Sequence, residues 1–157
     1  MKTILTDFKF NSKLLAIILF VTLVVGFTGV ASAEIISDEW QWIGSDDKTG
    51  IFFNTESFQK TGDTTYVVWI KLQFTEAYGK EMAKEFGYNQ FFSHMLFKNE
   101  YDYYNKQERN MYIDIFDEFG EVFDSFEGSK TWEVIILDSD SEVIFNATYD
   151  YYKQHYQ

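Results

Sequence analysis

This chain contains two histidines and no cysteine, so it has few of the side chains that bind metal ions or take part in nucleophilic catalysis. Without cysteine, a zinc site needs histidines and carboxylates, and no ligand spacing links His94, inside a strand pattern, to His155, near the C-terminal end. No G-x-S-x-G elbow and no glycine-rich phosphate loop occurs. Carboxylate pairs of the glycosidase type stay open, because acidic residues from any part of a chain can meet in the fold. We expect no enzyme activity, no catalytic residue, no metal site and no cofactor, and we assign no binding residue.

The acidic run from Asp138 to Glu142 supplies the oxygen ligands that calcium prefers. A calcium loop of the EF-hand type is longer, however, and has a central glycine and a distant glutamate that this run lacks. Ser139 followed by Glu142 fits a capping box, in which side chains accept hydrogen bonds from unpaired backbone N–H groups at a helix start. Acidic side chains in a first turn are also favoured by the helix dipole. The run therefore predicts a helix start rather than a calcium site.

Tyrosines concentrate in two parts of the chain. They are Tyr101, Tyr103 and Tyr104 before a turn, and Tyr149, Tyr151, Tyr152 and Tyr156 near the C-terminus. A tyrosine ring buries apolar area while its hydroxyl group forms hydrogen bonds, so tyrosines serve both in cores and on recognition surfaces. We interpret the two clusters as the edge of an aromatic core, and an exposed binding surface is the alternative.

These side chains are positioned by a chain in which strand and helix patterns follow one another. Alternating apolar residues and turn formers predict strands over residues 40–44, 51–54, 64–75, 91–103, 109–117, 121–125 and 131–136. The longest pattern places five apolar side chains on one face: Tyr66, Val68, Ile70, Leu72 and Phe74. The predicted fold class is α+β, with a single antiparallel β-sheet of about six strands and a C-terminal helix packed on one face.

Two helices are predicted from local spacing. A short helix is expected near residues 76–87, where Glu76 and Lys80 can pair and Gly87 can end the helix in the left-handed conformation. Gly79 in its interior lowers the helix propensity. The C-terminal helix begins after Ser139, and four of its side chains are predicted to face the sheet: Val143, Ile144, Ala147 and Tyr151.

Residues 1–33 have the order of a cleavable secretory signal peptide. Lys2, Lys9 and Lys13 precede an apolar stretch over residues 14–30, and the small residues Ala31-Ser32-Ala33 follow as a cleavage site. A retained membrane anchor is the alternative, since the apolar stretch is close to the shortest that spans a bilayer. We expect cleavage, a mature form that begins near Glu34, and a single domain over residues 34–157.

The predicted mature chain is strongly acidic. Removal of three lysines and one aspartate leaves 10 basic and 24 acidic residues in 34–157, a formal net charge of −14. Nucleic-acid binding depends on cations that meet phosphates, so we expect no nucleic-acid partner. The acidic residues indicate a soluble, self-repelling exterior, and docking of a basic partner is the alternative.

Several short motifs follow one another in a recognisable order. They are Trp40-x-Trp-Ile with Ile51-Phe-Phe-Asn54, Val67-Val-Trp-Ile-Lys71, residues 112–117 with Gly120-Glu-Val122, and Trp132 followed by Ile135, Asp138-Ser139 and Glu142. In this order and spacing, which covers nearly all of residues 38–152, the chain resembles the surface-adhesin protein E family of small exported bacterial domains. The resemblance implies a single antiparallel sheet with the C-terminal helix on one face.

The same resemblance implies a role at the bacterial surface, where the family's namesake adheres to host matrix proteins and can form dimers. The chain departs from the family in two respects. It lacks the cysteine pair that often ties the C-terminal helix to the sheet, and it is acidic where adhesion in the namesake is associated with a basic stretch. Because fold transfers better than activity, no binding residue is carried over.

Two functions are predicted on this basis. The first is an exported surface or envelope binding module for an unidentified protein partner, such as a host or matrix protein, with homodimerisation left open. The alternative is a non-catalytic envelope structural or inhibitor protein that docks a basic partner through its acidic surface. Both place the protein in the periplasm, at the cell surface or outside the cell, without stable membrane insertion after signal cleavage.

Overall fold

The computed structural model describes residues 39–157, so the predicted signal peptide and cleavage site lie outside the described residues. Eight strands and two helices follow in chain order: β1 Trp40–Ser45, β2 Thr49–Asn54, β3 Gln59–Lys60, β4 Thr65–Phe74, α1 Glu76–Glu85, β5 Phe92–Asp102, β6 Gln107–Asp117, β7 Val122–Glu127, β8 Glu133–Val134 and α2 Asp140–Tyr156. Neither helix within this range is long and apolar enough to span a membrane.

All eight strands belong to one antiparallel sheet. Six of them lie side by side in the order β1-β2-β4-β5-β6-β7, and the two-residue strands β3 and β8 pair with β4 and β6. Sequential strands are neighbours nearly throughout, as short antiparallel connections favour. The predicted α+β class, with a single antiparallel sheet and a C-terminal helix, is confirmed.

The alternation of side chains along β4 separates a core face from an opposite face. The five apolar residues that the sequence places on one side are all buried, whereas Trp69, Lys71 and Gln73 between them are half-buried on the other side. Residues directly opposite each other in a sheet share a face. The buried face therefore continues onto β5 through Tyr101, opposite Tyr66.

Helix α2 lies against this core face and contacts it mainly through aromatic rings. The ring of Tyr152 stacks on that of Tyr66 with their centroids 4.5 Å apart, and the Tyr66 hydroxyl lies 3.0 Å from Oγ1 of Thr148. The rings of Phe145 and Tyr101 are 5.8 Å apart. Large rings bury much apolar area per residue, and in this cysteine-free chain they join the helix to the sheet without a disulfide.

The start of α2 is as predicted, but the predicted sheet-facing side is partly wrong. Oγ of Ser139 accepts a hydrogen bond of 3.3 Å from the N–H of Glu142, and the Glu142 carboxylate accepts one of 2.8 Å from the N–H of Asp138. Val143, predicted to face the sheet, is 38% exposed. The buried side chains are Ile144, Phe145, Thr148 and Tyr152. Successive residues of a helix are rotated by about 100° around its axis, so an error of one residue changes the predicted buried side considerably. Tyrosines lie on both sides of the buried residues, and the spacing of apolar residues alone therefore does not locate the centre of the buried side.

Helix α1 shows why a glycine lies in its interior. A Cβ atom at Gly79 would lie 2.0 Å from the backbone oxygen of Phe92, so only glycine lets the helix approach the start of β5 this closely. Glu76 and Lys80 form the predicted ion pair at 2.5 Å. Gly87 follows the helix with φ of 82°, which is the predicted left-handed conformation.

One strand is shorter than the sequence predicts, and another was not predicted. Residues 131–136 were predicted as a strand, but only Glu133 and Val134 are assigned to β8, and one further hydrogen bond joins the N–H of Ile135 to the Lys106 carbonyl. Strand β3 was not predicted, because two exposed polar residues, Gln59–Lys60, show no apolar alternation. The strand predicted over residues 109–117 begins two residues earlier, at Gln107, directly after Lys106 with φ of 51°.

Candidate functional site

The two histidines and the acidic run are all in ordinary structural settings. The His94 ring on β5 stacks on Phe116 with their centroids 4.3 Å apart, and the His155 ring near the end of α2 stacks on Tyr151 at 4.0 Å. Within residues 39–157, no group of three or more histidine, aspartate and glutamate side chains is arranged to hold a metal ion. The acidic run forms the first turn of α2, capped by Ser139.

The tyrosine clusters lie mainly between helix and sheet rather than on a recognition surface. Tyr101 and Tyr152 are buried in the core, and Tyr103 stacks on Tyr149 with their centroids 5.1 Å apart. Tyr104 is 78% exposed and is the main exception. The hydroxyl of Tyr156 donates a hydrogen bond to the carbonyl of Thr55 at 3.3 Å, which fastens the end of α2 to the chain after β2. The interpretation of these clusters as the edge of a core therefore describes them better than the alternative.

The tryptophans have the opposite placement, on the sheet face that neither helix covers. Trp40 and Trp42 lie two residues apart on β1 and so share a face, and the register carries that face from Trp42 through Phe52 to Lys71 on β4. We call this surface the open face. It comprises Trp40, Trp42, Phe52, Trp69, Leu96, Tyr112 and Phe116, with His94, Lys71, Lys98 and Arg109 among them and Trp132 beside Arg109. All four tryptophans of the chain thus belong to it.

The cations of the open face lie over its aromatic rings. The ammonium of Lys71 is 4.9 Å from the ring centroids of both Trp40 and Phe52. The ammonium of Lys98 is 5.8 Å from the ring centroid of Trp69. Cation–π contacts of this kind contribute about 0.5–1 kcal/mol each at exposed positions. These contacts hold the two ammonium groups at fixed places on the open face. The methylene groups of the same lysines partly cover the rings and shield them from solvent.

Arg109 has a second, stronger set of contacts beneath the surface. Its Nε and Nη2 donate to the same carboxylate oxygen of Glu100, at 2.7 and 2.5 Å, and its guanidinium lies 4.5 Å from the ring centroid of Trp132. Glu100 is buried, and its other oxygen accepts a hydrogen bond of 2.5 Å from the Thr61 hydroxyl. This ion pair therefore fixes one end of the open face and connects β5 and β6 to the loop after β3.

His94 is the histidine whose acidity the fold alters. Burial, and secondarily the positive charge of Lys71, lower the pKa of His94 from 6.5 to about 4. Its Nδ1 lies 2.9 Å from the Ser93 hydroxyl, and the Phe116 ring covers one side. His94 is therefore neutral at pH 7 and contributes a flat ring rather than a charge to the open face.

Stability should depend on pH through His94. In the unfolded chain a histidine with an ordinary pKa near 6.5 binds a proton first, so lowering the pH from about 6.5 to about 4 favours unfolding. Above this window the ring is neutral in both states and its contribution is constant. We expect wild type to lose on the order of 1 kcal/mol relative to His94→Gln across the window, since solvent screens this partly exposed ring. Urea unfolding of both proteins at several pH values measures the difference, and parallel pH profiles would contradict it.

Comparisons of the chain with known protein families, with curated proteins and with solved structures find no match. The resemblance to the surface-adhesin protein E family therefore rests on the motifs in the sequence, and the open face is interpreted from its own geometry.

The open face was missed at the level of sequence although part of its signal was visible. Period two along β4 places Trp69 and Lys71 on the side opposite the core, and Trp40 and Trp42 have the same spacing on β1. The same positions also carry Lys71 and Gln73, so this side of β4 shows no apolar alternation that would mark it as a binding face. The order of strands, which brings β1 to the same sheet as β4, β5 and β6, is what unites these residues.

Proposed function

We propose that this protein is an exported, non-catalytic bacterial binding module that holds a partner against the open face of its sheet. The observation that carries the proposal is that all four tryptophans belong to the face that the helices leave uncovered, with Trp42 55% exposed. Tryptophan, tyrosine and arginine are the residue types most enriched among those that dominate binding energy. Tyr112 and Arg109 add the other two types to the same surface.

Two features of the sequence support the export of the protein and its proposed role in adhesion. The order of charged, apolar and small residues in 1–33 supports export. The resemblance to the surface-adhesin protein E family supports adhesion to host or matrix proteins. Neither feature identifies a partner, so the open face is tested first against matrix glycoproteins.

The buried carboxyl groups support a structural rather than a catalytic role. Burial raises the pKa of Glu108, and the hydroxyl of Ser141 donates a hydrogen bond to it, which links the first turn of α2 to β6. Glu100 is paired with Arg109 and Thr61. These acids have partners that account for their positions, and the proposal accordingly contains no reaction.

Replacing Trp42 by alanine should weaken partner binding by about tenfold or more, because an exposed tryptophan at an interface contributes on the order of 2 kcal/mol. The measurement is binding of purified residues 34–157 to immobilised laminin and vitronectin. Tyr104→Ala is the matched control: it removes an exposed ring that is not on the open face, and it should leave binding within about twofold. Unfolding curves of both variants verify that the fold is retained.

The outcomes separate the two candidate functions. Binding that depends on Trp42 at both about 0.15 M and about 0.5 M salt supports the open face, because aromatic burial is not screened by ions. Binding that ignores Trp42→Ala and disappears at the higher salt would instead favour a basic partner docked on the acidic surface. If wild type binds neither matrix protein, adhesion to these ligands is rejected.

A further inference from the structure

We propose that β8 and the residues around it bind an extended segment of a partner protein as an added strand of the sheet, and that this segment alternates apolar with basic side chains. The inference goes beyond the proposed function, because it concerns one edge of the sheet rather than its open face. Main-chain hydrogen bonds hold a segment added in this way, and its alternate side chains determine specificity.

β7 and β8 lie end to end along one edge of the sheet. β7 pairs with residues 112–116 of β6, and β8 pairs with Gln107 and Glu108 of the same strand. β5 occupies the other side of β6, and within residues 39–157 no further strand lies beyond β7 and β8. A strand at the edge of a sheet presents backbone groups with which another strand can pair.

The register shows which backbone groups of β8 point outward. The N–H of Ile135 donates a hydrogen bond of 3.0 Å to the carbonyl of Lys106, so these two residues form a hydrogen-bonded pair. Such pairs alternate with non-hydrogen-bonded pairs along an antiparallel ladder. The preceding residue, Val134, therefore directs its N–H and C=O groups away from β6, where they are positioned to pair with an added strand.

The segment of residues 131–136 has a strand pattern that β6 uses only in part. Five of its six residues are β-branched or aromatic, which are the residue types enriched in strands. Only Glu133 and Val134 form β8, because β6 begins at Gln107 and offers little to pair with beyond that point. A strand on the outer side supplies the missing partner for the rest of the segment.

Exposed aliphatic side chains are concentrated at the same edge. Within residues 39–157 five large aliphatic side chains are exposed, and four of them lie in residues 134–143: Val134, Ile136, Leu137 and Val143. Val134 and Ile136 are 68% and 61% exposed, whereas Ile135 between them is buried in the core. This alternation places Val134 and Ile136 on one side of the segment. Apolar side chains opposite them in an added strand share that side and cover them.

The apolar side chains are surrounded by an excess of negative charge. Residues 131–143 contain no lysine or arginine and four acidic residues: Glu133, Asp138, Asp140 and Glu142. Lys106 and Glu108 face this segment from the start of β6, and their formal charges are opposite. Arg109 and Lys130, next to these residues in the sequence, already form ion pairs with glutamates.

This charge favours a basic partner over a second copy of the chain. Pairing of two copies at this edge brings two sets of four carboxylates together, and like charges opposite each other destabilise a sheet. In an added strand the side chain opposite Glu133 lies on the other side of the sheet from those opposite Val134 and Ile136. A segment with apolar residues at alternate positions and lysine or arginine between them therefore matches both sides.

An eight-residue peptide of alternating valine and lysine tests the proposal by calorimetry with wild-type residues 34–157. We expect this peptide to bind, and we expect the same peptide with a methyl group on each valine backbone nitrogen to bind at least tenfold more weakly. The valine opposite Val134 exchanges both backbone hydrogen bonds with it, so methylation removes the donors while the charges and side chains stay the same.

Val134→Pro tests the same contact from the side of the protein. Proline at this position removes an N–H that points away from β6, and proline is tolerated on edge strands at such positions. Peptide binding should weaken about tenfold or more, and Val134→Ala, which keeps the N–H, should weaken it about threefold. Val122→Ala is the matched control: it shortens an exposed valine of β7 outside residues 131–143 and should leave binding within about twofold. Unfolding curves verify that each variant is folded.

Each other outcome would overturn the inference. Equal binding of the methylated and unmethylated peptides would reject backbone pairing, and equal binding of a serine–lysine peptide of the same length and charge would reject recognition of the apolar side chains. Unchanged binding to folded Val134→Pro would move the contact away from β8. A concentration-dependent dimer that excludes the peptide and that Val134→Pro dissociates would make the occupant a second copy. None of these results depends on Trp42, so the proposed function is tested separately.

Discussion

Replacing Tyr152 by alanine is expected to lower the free energy of unfolding by about 3–5 kcal/mol, the usual cost of removing a large buried ring. Tyr152 is 2% exposed, and its ring stacks on Tyr66 at 4.5 Å between centroids. It also lies 6.1 Å from the ring of Phe58 and 5.7 Å from that of Tyr156. The substitution therefore leaves a cavity in the middle of the aromatic contacts that hold α2 on the sheet, and no disulfide compensates for it.

Chemical denaturation of wild type and Tyr152→Ala measures this change. Tyr104→Ala is the matched control, because the same substitution at a ring that is 78% exposed should alter the free energy of unfolding by no more than about 0.5 kcal/mol. Similar small effects from both variants would show that α2 is not held by this cluster, and the account of the fold would have to change.

Arg109→Leu is the second substitution with a large expected effect, a loss of about 2–4 kcal/mol of stability. Glu100 is buried, and removing its cationic partner leaves a buried carboxylate that keeps its hydrogen bond from the Thr61 hydroxyl but loses its counter-charge. Breaking one side of a buried pair costs about 3–5 kcal/mol, and we expect a slightly smaller loss because the Arg109 side chain is 28% exposed.

A double substitution distinguishes the buried charge from lost packing. Arg109→Leu combined with Glu100→Leu should be more stable than Arg109→Leu alone, because replacing both members of a buried pair by apolar side chains is often close to neutral. Lys130→Leu is the control: it breaks an exposed ion pair with Glu127 and should cost less than about 1 kcal/mol. If the double variant is less stable than the single variant, the cost lies in packing against Trp132 and not in the buried charge.

The sequence predicts the core face of this fold well because that face is encoded by strict alternation. Along β4 each apolar position of period two is buried, and the start of α2 is set by a local capping signal at Ser139. Gly79 was recognised as unfavourable for a helix, but its reason is the backbone of Phe92, thirteen residues later, which no local pattern contains. The predicted sheet-facing side of α2 was wrong by about one residue position for the same reason. Thr148 and Phe145 are buried because they contact Tyr66 and Tyr101 on the sheet, and the helix sequence alone does not contain these contacts.

The candidate site was less predictable because it depends on the order of strands. Trp40 and Trp69 are far apart in sequence, and the β1-β2-β4 order brings them to one face of the sheet. Tyrosines outnumber tryptophans, 11 to 4, and attracted the functional interpretation, although the helix covers most of those in the two predicted clusters. An aromatic ring is available for binding only if no other part of the fold covers it, and this depends on the tertiary structure.

Site-specific blocking of the sheet tests the central claim, that the open face is the binding surface. The chain has no cysteine, so one introduced cysteine can be coupled to a maleimide dye without side reactions. Ser125 is exposed and lies in the row that runs from Lys71 through Leu96 and Asp114, whereas Asn146 is exposed on α2. The measurement is binding of the labelled Ser125→Cys and Asn146→Cys proteins to immobilised laminin and vitronectin. We predict that the label at residue 125 abolishes binding and the label at residue 146 leaves it intact; loss of binding with the label at residue 146 and retention with the label at residue 125 would contradict the account.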